Sequence, residues 1–86
     1  VITNGRLSIG TTAVAIDGVH NQPAHMIIHN DDNTQAVYLG GPGVTAADGL
    51  TIEKLESLQF DLGPLEQVYA VSTKTNHTIS WMRQTL

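Results

Sequence analysis

Short segments in which apolar and polar residues alternate run through this chain from end to end, broken about every 8–12 residues by glycine, asparagine, aspartate or proline. Successive side chains of a strand point to opposite faces, so this period builds strands with one buried face. Antiparallel sandwiches and barrels have this cadence.

The segments can be read in order. Arg6 to Ile9 carries Leu7 and Ile9 on one face, and Gly10-Thr11-Thr12 turns the chain into Ala13 to Ile16, where Val14 and Ile16 point together. Asp17-Gly18 marks a turn, and Val19 to Pro23 reads as a loop. The run Ala24 to His29 has the β-branched content of a strand, with Met26 and Ile28 on one face and His25, Ile27 and His29 on the other. Asn30-Asp31-Asp32-Asn33-Thr34 is rich in side chains that satisfy nearby backbone donors, which predicts a tight connection. Gln35 to Leu39 is then expected to return as the hairpin partner, with Val37 and Leu39 inward and Tyr38 opposite.

Gly40-Gly41-Pro42-Gly43 ends that strand, and Val44-Thr45 is expected to pair briefly before the Asp48-Gly49 turn. Between Leu50 and Leu62 two periods compete. Ile52, Leu55 and Leu58 fit a short helix, whereas Leu58, Phe60 and Leu62 alternate. The reading adopted is a strand at Leu50 to Ile52, a turn near Glu53-Lys54 and a strand from Glu56 to Leu62. Gln67 to Ser72 is apolar on both faces, as suits a central strand, and Lys74 to His77 is expected to form the last turn. Thr78 to Met82 closes the chain with Ile79 and Trp81 on one face. The expected fold is all-β, a compact antiparallel sandwich or jelly roll of about eight short strands in one domain spanning residues 1–86.

Eighty-six residues bury one core and leave modest net stability. No cysteine is present, so neither disulfides nor thiolate metal sites reinforce it, and oligomerisation is one source of support. Charged residues make up 14% of the chain, below the roughly 25% of an average soluble domain, so part of the surface is expected to face protein instead of water. Net charge is −4, and the four cations Arg6, Lys54, Lys74 and Arg83 are scattered, which argues against nucleic acid as a partner. The longest apolar stretches are far too short to span a membrane, and no targeting signal is visible.

Chemistry finds little to use. His25 and His29 lie about 13 Å apart along a strand, too far for one metal ion, so they are expected on a surface or between subunits. If they lie between subunits, assembly should weaken as they protonate near pH ~6.5. Asp31-Asp32-Asn33 offers oxygens to a hard cation but lacks the EF-hand spacing, and a turn explains it. Glu53, Glu56, Asp61 and Glu66 read as a solvated face, no serine sits in a Gly-x-Ser-x-Gly elbow, and the glycine-rich run lacks the lysine of a phosphate loop. Asn76-His77-Thr78 matches a glycosylation pattern and is read as a turn. No catalytic residue, cofactor or metal is expected. Outward alternation nominates His25, His29, Tyr38 and Trp81 as contact residues, and the two chain ends as extensions onto neighbours.

The runs Val37-Tyr38-Leu39-Gly40-Gly41, Val44-Thr45, Asp48-Gly49-Leu50, Glu56-Ser57-Leu58-Gln59-Phe60 and Val68-Tyr69-Ala70-Val71-Ser72 carry a resemblance. In that order of strands and turns the sequence resembles small virion proteins of tailed bacteriophages, capsid decoration or cement proteins in particular. The resemblance implies a non-enzymatic structural protein on the outer capsid surface, a homotrimer bound to the major capsid protein or other virion subunits. A head-completion, tail or receptor-binding component and a small carbohydrate- or peptide-binding sandwich are the alternatives.

Overall fold

The computed structural model describes residues 1–86 and contains no helix. Its strands are β1 (Ile2–Ile9), β2 (Val14–Ala15), β3 (Ala24–Asn30), β4 (Val37–Gly40), β5 (Leu50–Ile52), β6 (Ser57–Leu62), β7 (Tyr69–Ser72) and β8 (His77–Thr85). They form two four-stranded antiparallel sheets, ordered β1-β8-β3-β6 and β2-β7-β4-β5. Eight strands wound in this order make a jelly roll. Every connection except β4 to β5 carries the chain from one sheet to the other.

Period two explains the core. Met26 and Ile28 on β3, Val37 and Leu39 on β4, Ala70 on β7 and Ile79 on β8 share inward parity and are buried, as are Ile9, Ile16 and Ile52. Leu7, Leu58, Phe60, Leu62 and Trp81 pack around that centre and stay partly exposed. At about 25 cal/mol per Å² of apolar area, these inward faces are the main favourable contribution to the fold. The chain ends close on each other, with Ile2 opposite Gln84 and Ile9 opposite His77.

Several expectations change. β3 and β4 do not form a hairpin: β3 pairs with β6 and β8, while β4 pairs with β5 and β7 in the facing sheet. Asn30 to Thr34 turns the chain as expected, but as an arch over the edge of the core. Val44-Thr45 forms no strand. Val44 instead folds back over the outer face of the second sheet, where a Cβ on Gly40 would lie 2.8 Å and one on Gly49 3.0 Å from its Cγ2. His77 leaves the predicted turn and begins β8, and β1 starts at Ile2, four residues earlier than its alternation announces. The competing periods between Leu50 and Leu62 resolve as strand, turn and strand.

Candidate protein interface

The outer face of the first sheet is bare. On β3 it presents His25, Ile27 and His29, flanked by Gln84, Met82 and Ser80 on β8 and by Asp61, Gln59 and Ser57 on β6. Ile27 and Met82 form an apolar centre beside a depression of about 140 Å³. His25 Nδ1 lies 2.7 Å from Asp61 Oδ1 and its Nε2 3.3 Å from Gln59 Oε1. Both neighbours are acceptors, so only the doubly protonated ring donates to both. The hydrogen bond to Asp61 accordingly raises the His25 pKa, with Gln59 adding to it. His29 Nδ1 lies 2.8 Å from Ser57 Oγ, with Asp31 Oδ1 3.6 Å from its Nε2.

Tyr38 and the ring of Trp81 point elsewhere. Tyr38 is on the outer face of the second sheet, opposite Val71 on β7. Trp81 follows the parity of Ile79 and turns inward, its indole 3.1 Å from where a Cβ on Gly5 would be, so glycine on β1 makes room for the ring. Of the four nominated residues, His25 and His29 share one surface, Trp81 borders the same depression as His29 while its ring packs inward, and Tyr38 lies on the other sheet.

An apolar opening that the sequence did not announce lies on the side where β6 ends one sheet and β5 ends the other. Leu58, Phe60 and Leu62 line one wall, Leu39 and Leu50 the other, and Val68 is adjacent, enclosing about 420 Å³. Leu50 is 60% exposed although its parity is inward, because no strand lies beyond β5 to cover it. Two further exposed leucines bracket β6. Leu55 and Leu65 hold positive φ angles of 60° and 65°, a region that costs a side-chain-bearing residue about 1–2 kcal/mol.

The polar groups that do converge are sealed inside. His77 Nδ1 lies 2.7 Å from Ser72 Oγ, and its Nε2 lies 2.7 Å from Asn30 Oδ1. The carbonyl oxygen of Asn30 can only accept, so Nε2 carries the proton and Nδ1 accepts from Ser72. The order Ser–His–Asn imitates a nucleophile, base and orienter. All three side chains are buried, however, and none lines a surface depression. Asn30 Nδ2 also reaches the carbonyls of Gln35, Ile52 and Glu53 at 2.9, 3.3 and 3.2 Å. The cluster therefore ties the two sheets together, and burial lowers the His77 pKa by disfavouring the imidazolium. Parity holds the missed signal: Asn30 is in phase with Ile28, Ser72 with Ala70 and His77 with Ile79.

Arg83 is inward by the same rule and only 2% exposed. Its Nη2 donates to Gln22 O at 3.3 Å, its Nη1 lies 3.7 Å from Asp17 Oδ2, and Nε and Nη1 have no hydrogen-bond partner. Nowhere do three His, Asp or Glu side chains gather as metal ligands. In the Asx-rich arch, Asp32 Oδ1 accepts from the Thr34 and Gln35 amides and the Thr34 hydroxyl, and Oδ2 pairs with Lys74. These donors, Lys74 foremost, hold its carboxyl well below the usual carboxylate range.

The sequence matches no protein-family model and no curated protein. A solved structure is similar in fold, that of "Bacillus endospore appendages form a novel family of disulfide-linked pili", with a TM-score of 0.64 and 18% identity over 99% of this chain and 85% of that one. The likeness is one of fold. It covers the whole jelly roll, both sheets included.

Proposed function

We propose that this chain is a non-catalytic structural subunit that works by packing against other protein chains, and that its setting is the outer capsid surface of a tailed phage, where it decorates the shell as a trimer. The observation that carries the reading is the apolar opening between β6 and β5, which leaves Leu50 largely in water in an isolated copy. Exposed apolar patches on small domains mark sites that another protein covers. The exposed leucines at 55 and 65 and the low charge support it. The virion setting is supported by the sequence resemblance. Shell stabilisation would come from area and repetition, since each trimer engages several sites at high effective concentration.

A second reading, a subunit of a fibre, is favoured by the likeness to the endospore pili. Those pili are described as disulfide-linked, whereas these 86 residues contain no cysteine and so contribute no disulfide of their own to such a fibre.

Two measurements test the proposal. Light scattering across a concentration series should give masses that are multiples of the single chain. Incubation with capsids that lack the protein should then bring it down with the shells, and chain that assembles but leaves shells bare rejects the capsid setting in favour of the fibre.

A further inference from the structure

The two outer strands of the first sheet, β1 and β6, both have an open side: β1 hydrogen-bonds only to β8 and β6 only to β3. Unpaired edges of six and eight residues are templates for another strand. Neither carries the usual guards, since each lacks proline and lysine and holds a single charged residue, Arg6 on β1 and Asp61 on β6. The charges are opposite, and both side chains lie on the same outer face.

Strand direction matters next. β1 is antiparallel to β8, β8 to β3 and β3 to β6, so β1 and β6 run in opposite directions. A second copy set beside the first, with its sheet facing the same way, therefore offers its β1 antiparallel to β6. Parity agrees as well. Leu58, Phe60 and Leu62 turn inward on β6, as Leu7 and Ile9 do on β1.

We infer that copies of this chain join head to tail, β6 of one pairing antiparallel with β1 of the next so that Asp61 stands opposite Arg6. This deepens the reading of the chain as an assembling subunit and rests on it. In that register Gln59 faces Ser8, Phe60 adjoins Leu7 and Leu58 adjoins Ile9, so the next copy closes the apolar opening beside β6. The two surfaces differ, which makes the contact heterologous. It closes into a ring if the rotation between copies divides a full turn and otherwise continues as a fibre. One contact thus serves both the trimer and the fibre.

The chain has no native thiol, which makes the test clean. Ser8→Cys combined with Gln59→Cys places one thiol on each edge, both exposed and outside the core. Within one copy the strands are three spacings apart, about 14 Å, beyond the ~7 Å Cα reach of a disulfide, so any bond links copies. Oxidation should give a ladder of dimers, trimers and higher species on a non-reducing gel, and each single variant should give no ladder. Arg6→Asp should weaken association about fivefold or more, and adding Asp61→Arg should restore it. Multimers by light scattering without a ladder, or a charge swap that fails to restore association, would overturn the edge pairing and leave the structural role standing. A monomer at every concentration would overturn both.

Discussion

Replacing Asn30 with alanine should destabilise this domain more than any other single polar truncation. Its side chain bridges both sheets: Nδ2 reaches three carbonyls, and Oδ1 accepts from His77 Nε2 at 2.7 Å and from the Asp32 amide at 3.0 Å. Truncation strands the buried His77 N–H and the buried end of the Ile52 contact, at about 1–3 kcal/mol each, or about 2–6 kcal/mol together. A domain of this length has a total stability of about 4–13 kcal/mol, so roughly half is lost. Ser72→Ala removes only the donor to Nδ1 and the acceptor for the Lys74 amide, and should cost about 1–2 kcal/mol. Trp81, the one tryptophan, packs inward and reports unfolding by fluorescence in a urea titration. A loss below about 1 kcal/mol for Asn30→Ala, or a larger loss for Ser72→Ala, would refute the role given to this cluster.

Stability should also depend on pH through His77. Its folded pKa lies below the unfolded value of about 6.5, so its contribution is complete above that pH and is lost as pH falls toward the folded value; a His77→Gln variant should show a shallower acid slope in urea titrations. His25 works in the opposite sense, because Asp61 raises its folded pKa: its smaller contribution is present below about pH 6.5 and disappears as pH rises through the folded value, which NMR titration of wild type against Asp61→Asn should show. Arg83→Met should leave thermal stability equal or higher, because two nitrogens of the buried guanidinium lack hydrogen bonds, whereas Asp17→Ala should cost about 3 kcal/mol by removing the carboxylate that faces that charge. Gly49→Ala should cost about 1–3 kcal/mol by calorimetry, since the new methyl would sit 2.7 Å from Tyr38 Cβ.

Which residues face the core was largely legible, because a pleated strand obeys one rule whatever it pairs with. Met26 and Ile28, Val37 and Leu39, and Leu58, Phe60 and Leu62 all lie on the faces their spacing assigns. Partnership was not legible. Asn30 to Thr34 signals a change of direction, but Met26 and Val37 read identically whether their strands lie side by side or face each other across the core. What decides is that β3 is already flanked by β6 and β8, segments about thirty and fifty residues away, beyond the reach of local turn chemistry. The same long-range winding creates the Ser72–His77–Asn30 cluster and the opening beside β6. Asn30 and His77 were read as turn residues although each continues the inward phase of its strand, and no local pattern shows that they meet Ser72. Trp81 shows the converse error: it was nominated as outward although the reading also set it on one face with Ile79, and that shared phase is the one the fold keeps.

Sedimentation velocity of the purified chain, from low micromolar to millimolar concentration, tests the central claim most directly. The account predicts species at multiples of 9.2 kDa whose population grows with concentration. A single 9.2 kDa species throughout would contradict it.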